Sequence, residues 1–245
     1  MPRDKSLVIL PTFNEAANLE RLVERVMRAG PFDVLIVDDH SPDGTGEIAD
    51  QLASERPGTV AVLHRSGKLG LGTAYVAGFR HALARHYDRV FEMDADFSHD
   101  PSCLPILCAA LADADVVLGS RYVAGGGTRH WPMWRRMLSQ GGSLYAATVL
   151  GLPFRDLTGG FKGFRACVLD ALDLDAIESN GYAFQIEVTY RSYQRGFRIV
   201  EQPILFTDRR LGRSKMNARI VAEALLVVWR LRLEAARRLT VEGVP

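Results

Sequence analysis

The sequence lacks the features that mark extracellular or membrane-spanning proteins. Its three cysteines, Cys103, Cys108 and Cys167, are too few and too scattered for a disulfide framework. Their spacing does not suit metal ligands, so we expect buried thiols in a reducing compartment. No apolar run approaches the roughly 18 residues that a membrane-spanning helix needs. No signal-peptide segment opens the chain, and we therefore expect a cytoplasmic protein.

Several common catalytic and cofactor signatures are also missing from the sequence. The six histidines show no metal-binding spacing, and no Ser-His-Asp arrangement can be argued. The glycine-rich stretch 67–72 is not a P-loop, because its lysine precedes the glycines. A Rossmann dinucleotide site is excluded because no Gly-x-Gly-x-x-Gly follows the first predicted strand. The stretch predicts a lid or a close helix–strand contact instead.

Short β-branched runs alternate with helical patterns in the first half of the chain, which is typical of a mostly parallel sheet with crossover helices. The predicted strands are 6–10, 34–37, 60–63, 90–93 and 116–118. The predicted helices are 16–28, 46–54, 73–85, 104–112, 134–150, 182–195 and 217–239, with an extended segment at 198–206. We predict an α/β fold with one catalytic domain, residues 1–215, and a C-terminal helical extension, residues 216–245.

Asp94 and Asp96 form the strongest candidate site. They follow the fourth predicted strand, and both would project the same way from its carboxyl edge because strand residues alternate between the two faces. Ligands bind at that edge in open α/β sheets. Two carboxylates there repel unless a cation lies between them, and Mg²⁺ or Mn²⁺ takes such ligands together with a substrate diphosphate. The alternative is a loop with helix-capping aspartates.

Two further strand ends carry acidic residues. The second predicted strand is followed by Asp38 and Asp39, and capping of the next helix needs only one acid. The other acid could accept hydrogen bonds from a nucleobase or a ribose. The first strand ends in residues 11–15, which places Phe13 and Glu15 at the same edge. Three such strand ends predict one polar crevice.

Basic residues near the strand ends indicate phosphate contacts. Arg121 directly follows the fifth predicted strand, and Arg135 and Ser139 lie four residues apart on one helix face. Arg209 and Lys215 lie close to the predicted end of the domain. Guanidinium groups beside a hydroxyl suit bidentate phosphate recognition. Each residue alone could be a surface charge, but together they predict two phosphate sites.

These motifs together resemble the family 2 glycosyltransferases of the GT-A fold, and closely the dolichol- or polyprenol-phosphate mannosyltransferases. The matching stretches, in order, are 10–15, 37–45, 68–75, 93–101, 119–122, 156–161 and 206–215. The resemblance implies a GT-A fold with a mostly parallel central sheet flanked by helices. It also implies a metal-dependent, inverting hexosyltransferase.

The resemblance further implies a role for each matching residue. Asp94, Asp96 and Ser98 would hold Mg²⁺ or Mn²⁺, although relatives vary at the third position. The implied catalytic residues are Asp94, Asp96 and Arg121, and the implied acceptor-phosphate residues are Arg121, Arg135 and Ser139. Phe13 stands where a tyrosine is common, so a hydrogen bond from that hydroxyl would be missing. Contacts to the nucleotide-sugar donor are implied for Pro11, Phe13, Glu15, Val37, Asp39, Asp94, Ala95, Asp96, Arg209 and Lys215.

The implied reaction is transfer of mannose from GDP-mannose to a polyprenyl monophosphate. A divalent cation and cationic side chains would stabilise the departing nucleoside diphosphate. The acceptor phosphate is already an anion near neutral pH and needs no general base. Direct displacement would invert the anomeric centre and give a polyprenyl β-mannosyl phosphate. Three alternatives stay open: UDP-glucose as donor, a soluble hydroxyl acceptor with Glu187 as base, and a non-catalytic nucleotide-sugar-binding subunit of a membrane complex.

The predicted terminal helix is amphipathic and basic. Residues 209–238 hold nine basic and two acidic residues, whereas the rest of the chain holds 21 basic and 27 acidic residues. Arg219, Arg230 and Arg237 form a stripe beside an apolar face. We predict peripheral contact with the cytoplasmic face of a membrane, or with a membrane-embedded partner subunit. Packing on the catalytic domain or a homodimer through this helix is the alternative, and no nucleic-acid partner is expected. The apolar face comprises Ile220, Val221, Ala224, Leu225, Val227, Val228 and Leu231.

Overall fold

A seven-stranded sheet organises the protein in a computed structural model that describes residues 4–208 and 225–234. The strands are β1 (Ser6–Thr12), β2 (Phe32–Asp38), β3 (Val60–His64), β4 (Arg89–Glu92), β5 (Val116–Ser120), β6 (Gly127–Arg129), β7 (Lys162–Arg165), β8 (Ile199–Pro203) and β9 (Leu205–Thr207). The sheet order is β3-β2-β1-β4-β7-β5-β8, in which β7 alone runs antiparallel to its neighbours. Strands β6 and β9 form a separate parallel pair.

Helices cover both faces of this sheet. They are α1 (Ala16–Ala29), α2 (Thr45–Glu55), α3 (Leu71–Ala84), α4 (Leu104–Ala110), α5 (Met133–Leu150), α6 (Ala166–Ala171) and α7 (Gly181–Gln194), with 3-10 turns at Pro101–Cys103 and Leu174–Ala176. Residues 225–234 are also helical. Within the described ranges, no helix has both the length and the apolar character that crossing a bilayer requires.

The alternation of side chains along β1 shows how the two core layers arise. Val8 and Leu10 pack with α1, α2 and α4 in one hydrophobic cluster, whereas Leu7 and Ile9 pack with α3, α6 and α7 in another. Because both faces of the strand are covered, its sequence reads as a continuous apolar run. A third cluster joins α5 and α7 to the helical segment 225–234.

The sheet changes direction of winding at β1. This strand pairs in parallel with β2 on one side and β4 on the other, so the loops after β1 and β4 leave the same edge and diverge. Ligands bind at such a switch point in open α/β sheets. Asn14 (φ 62°), His40 (φ 57°) and Phe97 (φ 62°), in the loops after β1, β2 and β4, adopt the left-handed conformation that non-glycine residues rarely take. Such conformations concentrate at functional sites.

The predicted α/β fold with a mostly parallel sheet is confirmed, and several details need correction. The segment 198–206 is two strands of different sheets, and β6, β7 and α6 were not predicted. Strand β4 ends at Glu92, so the Asp94–Asp96 stretch is a loop. Of the predicted buried thiols, Cys167 is exposed and the other two are half-buried. The predicted domain boundary at 215 lies outside the described residues.

Candidate active site

A cavity of about 310 Å³ opens at the switch point between β1 and β4. The loop after β1 forms part of its wall, and the loop after β4 forms another part. The remaining lining comes from the residue after β2, the 68–74 stretch, α5, the loop before β7 and the start of α7. The lining residues are Pro11, Thr12, Phe13, Glu15, Asp39, Lys68, Gly70, Leu71, Ala74, Asp94, Ala95, Asp96, Arg135, Thr158, Gly160, Gly181, Tyr182 and Gln185.

Asp94 is oriented by two neighbouring side chains. The Tyr75 hydroxyl donates to Asp94 Oδ1 at 3.3 Å. Burial and the negative charge of Asp94 raise the pKa of Tyr75 well above its usual value, so this hydroxyl stays protonated. The buried His99 ring accepts a hydrogen bond through Nδ1 from the Asp94 backbone N–H at 3.1 Å. The same Nδ1 lies 4.0 Å from Asp94 Oδ2.

Asp96 is more enclosed than its position after a strand predicts. Its Oδ1 accepts a hydrogen bond from the Ser98 backbone N–H at 3.0 Å, which fixes the carboxylate against its own loop. The Ser98 side chain is buried outside the cavity lining, and its hydroxyl has no hydrogen-bond partner within the described part of the chain. Ser98 thus positions Asp96 through its backbone. Metal ligation by its side chain stays a prediction.

The acids of this cavity fit a divalent cation that shares its ligands with a substrate. Among residues 4–208 and 225–234, no cluster of three or more His, Cys, Asp or Glu side chains is placed to hold a metal. Asp94 and Asp96 nevertheless both line the cavity. Mg²⁺ and Mn²⁺ are commonly bound through one or two carboxylates, substrate phosphates and water. The site therefore suits a metal that arrives with a diphosphate.

The wall beside β1 and β2 offers an aromatic ring and carboxylates. Lys68 Nζ lies 4.0 Å from the centre of the Phe13 ring, a cation–π contact. Asp39 forms a buried ion pair with Arg65 at 2.9 Å. Burial raises the pKa of Asp39, although the charge of Arg65 opposes the change. Glu15 also lines this wall. An aromatic face with hydrogen-bond acceptors nearby suits a nucleoside.

Arg135 on α5 supplies a cation to the cavity. Its Nη1 donates to Asp208 Oδ1 at 2.7 Å, and its guanidinium carbon lies 4.3 Å from the centre of the Trp131 ring. Its Nε is buried without a hydrogen-bond partner in the described ranges. A guanidinium carries five N–H donors, so the pairing with Asp208 leaves donors for an anion.

Arg121 lies next to the cavity but outside its lining. Its backbone N–H and its Nε donate to Asp156 Oδ2 at 2.9 and 2.7 Å, and its Nη2 donates to Asp156 Oδ1 at 2.6 Å. Burial lowers the pKa of Arg121, but the charge and hydrogen bonds of Asp156 more than offset this and raise it. The same Nη2 donates to Thr158 at 2.9 Å, and Thr158 does line the cavity. Arg121 thus holds the wall in place in the structure, and its contact with a phosphate stays a prediction.

Other predicted site residues lie outside this lining. Val37 is fully buried within β2. Ser139 Oγ lies 3.5 Å from Oγ1 of Thr158, which lines the cavity, but Ser139 itself is not part of the lining. Arg209 and Lys215 lie outside the described residues. Glu187, the base of one alternative, is fully buried and ion-paired with Arg191 at 2.6 Å, so it is a structural acid and not a base at this cavity. The structure brings together Pro11, Phe13, Glu15, Asp39, Asp94, Ala95, Asp96 and Arg135.

Sequence reasoning missed several residues of the lining. Thr158, Gly160, Tyr182 and Gln185 come from the second half of the chain, where the strand–helix alternation weakens. The Gln185 amide is buried next to the Glu92 carboxyl group. The sequence carried one signal for this wall, because stretch 156–161 was among those that carry the resemblance.

Comparison with known proteins bears on what this cavity does. The sequence profile of the family described as "Glycosyl transferase family 2" matches residues 7–172, well over half of the chain. The chain belongs to this family. It is 53% identical over 230 residues to a protein named undecaprenyl-phosphate mannosyltransferase from Micrococcus luteus, covering 94% of each chain. It is 48% identical over 242 residues to a protein named polyprenol monophosphomannose synthase from Mycolicibacterium smegmatis, covering 96% of this chain and 91% of that one.

Solved structures of glycosyltransferases share the fold. Glucosyl-3-phosphoglycerate synthase from Mycobacterium tuberculosis, in complex with Mn²⁺, UDP and product, superposes with a TM-score of 0.67 at 20% identity, covering 94% of this chain and 80% of that chain. A mannosyltransferase from Pyrobaculum calidifontis, in complex with GDP-Man and Mn²⁺, superposes with a TM-score of 0.59 at 17% identity, covering 99% and 77%. The GT-A-like architecture implied by the sequence is thereby confirmed, and the chain is a glycosyltransferase.

Proposed function

We propose that this family 2 glycosyltransferase moves mannose from GDP-mannose to a polyprenyl monophosphate, with inversion, to give polyprenyl β-mannosyl phosphate. The observation that carries the proposal is one cavity lined by both Asp94 and Asp96 and by Arg135. Acids that suit a metal-bound diphosphate and a cation that suits a second phosphate meet there. The names of the two relatives at 53% and 48% identity support the same acceptor and sugar.

The donor half of the cavity would hold the nucleotide and its diphosphate. Phe13 offers a ring face to the base, and Asp39 and Glu15 offer acceptors to base or ribose hydrogens. Asp94 and Asp96 would hold Mg²⁺ or Mn²⁺, which when bound stabilises the charge that develops on the departing diphosphate. The fold neighbours crystallised with Mn²⁺ make a divalent ion the natural first choice for assays.

The acceptor half would hold the lipid phosphate. Arg135 and Thr158 both line the cavity, and Arg135 Nε has no hydrogen-bond partner in the described ranges. A phosphate monoester with a second pKa of about 6 is already anionic near neutral pH, so its oxygen attacks without a general base. This agrees with the buried, paired state of Glu187, which leaves no acid of that helix facing the acceptor.

We further propose a peripheral location at the cytoplasmic face of a membrane. The three free cysteines suit a reducing compartment. A long-chain polyprenyl phosphate is held by the bilayer, so the enzyme must reach it there. A homodimer through the C-terminal helix and a membrane-embedded partner subunit stay predictions, as does the absence of a nucleic-acid partner.

A donor screen tests the proposed function. Purified protein, a polyprenyl phosphate and Mg²⁺ are incubated in parallel with GDP-mannose, UDP-glucose and UDP-GlcNAc, and lipid products are identified by mass spectrometry. We expect a hexosyl phospholipid from GDP-mannose at a rate at least about tenfold above the other donors. A preference for UDP-glucose would replace mannose by glucose in the proposal. The absence of any product, with nucleotide binding intact, would favour a non-catalytic subunit.

A further inference from the structure

Helix α5 presents apolar side chains on its outer side. Its inner side contributes Arg135, Ser143, Ala146 and Leu150 to the buried interior. At about 100° per residue, the exposed apolar residues fall on the opposite face. We call these residues the outer face: Met133, Trp134, Met137, Leu138 and Leu144, between 42% and 71% exposed. A surface helix normally places polar residues there, and a contiguous exposed apolar patch marks an interaction site.

The helical segment 225–234 adds a second exposed apolar row. Val227, Val228 and Leu231 pack into the cluster that contains residues of α5 and α7. The Tyr145 hydroxyl of α5 donates to the Leu225 carbonyl at 3.3 Å, so the two helices are neighbours. Three other large apolar side chains of the segment face away from this contact: Leu226, Trp229 and Leu233, between 53% and 72% exposed.

The charges around α5 favour an anionic surface over a protein partner. The chain contains 29 acidic residues, yet none occurs from position 121 to 155. Five arginines occur there, of which Arg121 and Arg135 are buried in ion pairs with Asp156 and Asp208. Arg129 and Arg136 are exposed, and Arg136 lies on α5 directly before Met137. A two-fold contact between two copies would bring these arginines together with no acid of α5 to neutralise them. An anionic bilayer would attract them, at roughly 1 kcal/mol per basic residue.

The composition of the exposed rows also suits a lipid interface. Trp134 and Trp229 have amphipathic rings of the kind that is enriched where bilayer meets water. A helix lying in the interface buries its apolar face to a depth of roughly 5–10 Å without crossing the bilayer. This agrees with the finding that no helix within residues 4–208 and 225–234 meets the requirements for a membrane span.

The same helix connects this surface to the cavity. Arg135 lines the cavity from the inner side of α5, while Trp134 and Met137 point outward one residue before it and two after it. A helix with its side chains is about 10–12 Å across. A bilayer on the outer face would therefore hold lipid phosphates within roughly one helix diameter of the cavity.

We infer that the enzyme binds an anionic lipid bilayer through the outer face of α5, together with Leu226, Trp229 and Leu233. The inference rests on the proposed function for the identity of the lipid substrate, but not for the binding itself. It shifts the principal membrane contact from the C-terminal helix, where the sequence placed it, to α5.

Vesicle binding tests this inference directly. The full-length protein is sedimented with vesicles of phosphatidylcholine containing phosphatidylglycerol, and with phosphatidylcholine alone, at low and high salt. Binding should be stronger on the anionic vesicles and weaken with salt. Met137→Gln should weaken binding about fivefold, and the triple variant Trp134→Gln/Met137→Gln/Leu138→Gln at least about a hundredfold. Ile106→Gln, a similarly exposed apolar residue on α4, is the matched control and should bind as wild type.

An activity comparison separates this inference from the proposed function. The triple variant should turn over a short-chain, water-soluble prenyl phosphate at the wild-type rate and lose most of its rate on a long-chain acceptor in vesicles. Wild-type vesicle binding by the triple variant would overturn the membrane surface and leave the proposed function standing. A dimer that the triple variant disrupts, without vesicle binding by either protein, would assign the face to a second copy and also overturn it. Vesicle binding by wild type without transfer to either acceptor would overturn the proposed function alone.

Discussion

Replacement of Asp156 by asparagine should destabilise the protein strongly. The carboxylate accepts three hydrogen bonds from Arg121, at 2.6, 2.7 and 2.9 Å, and both side chains are almost completely buried. Asparagine has the same shape but only one acceptor oxygen. Its amide N–H group would face a guanidinium donor, and the positive charge of Arg121 would lose its counterion.

The magnitude follows from the burial of the pair. Breaking a buried ion pair by removing one partner costs about 3–5 kcal/mol, because the remaining charge stays desolvated and uncompensated. For a chain of this size, each kcal/mol corresponds to a change in Tm of about 2–4 °C, so Asp156→Asn should lower Tm by about 6–20 °C. Glu24→Gln makes the same chemical change in the exposed pair Arg28–Glu24 and should cost about 0–0.5 kcal/mol.

Urea unfolding of the wild type, Asp156→Asn and Glu24→Gln measures these free energies of unfolding. The slope of each transition should be the same in all three proteins. The double variant Arg121→Met/Asp156→Leu should recover most of the lost stability, since apolar residues of similar volume remove both charges. A loss below about 1 kcal/mol for Asp156→Asn would refute the reasoning. A double variant as unstable as the single one would show that lost packing, and not the uncompensated charge, is responsible.

Three further predictions concern two residues of the cavity and the buried acid Glu92 of β4. Asp96→Asn should lower turnover at least about a hundredfold in a metal-titrated transfer assay with unfolding unchanged, and wild-type rates at limiting metal would contradict its role. Arg135→Ala should raise the KM for the lipid phosphate about ten- to hundredfold and spare the KM for the donor, whereas equal changes would place it at the donor. Burial outweighs the charge of Lys162 and raises the pKa of Glu92 from 4.5 to about 8, so the folded protein keeps a proton that the unfolded chain releases. The unfolding free energy should therefore fall between pH 4.5 and 8 in wild type and less in Glu92→Gln, and parallel urea titrations across pH would contradict this.

The first half of the fold was predictable because local patterns there agree with long-range pairing. Strand β1 was predicted as 6–10 and extends to Thr12, since Pro11 and Thr12 pair with the end of β2. Helix α1 repeats buried apolar residues at helical spacing: Leu19, Leu22, Val23 and Val26. Asp39, Asp94 and Asp96 were found because they come directly after strands that the local patterns predict.

Strand β7 was missed because its stability depends on contacts far away in sequence. It contains Lys162 and Gly163, which local propensity disfavours in a buried strand. Lys162 Nζ is satisfied there by the Gln185 carbonyl at 2.6 Å and by Thr189. Gly163 is required because a Cβ there would lie 2.6 Å from the Phe91 ring. Neither fact is visible before the chain is folded.

The ion-pair partners of the site's basic residues could also not be predicted from the sequence. The spacing placed Arg135 and Ser139 on one face of α5, and both do lie on its inner side. It did not show that Asp208, 73 residues away, pairs with Arg135. It also did not show that Arg121 forms a buried ion pair with Asp156. Pairing partners of this kind are set by how the loops pack, which no local pattern encodes.

Transfer of labelled sugar to lipid tests the central claim most directly. The purified protein is incubated with GDP-mannose labelled in the mannose, a polyprenyl phosphate and Mg²⁺, and label extractable into organic solvent is counted. Wild type should convert label into a polyprenyl phosphomannose that contains the β-linked sugar, and Asp96→Asn should leave almost all label in the aqueous phase. Label that stays aqueous with wild type, or lipid product formed equally by Asp96→Asn, would contradict the account.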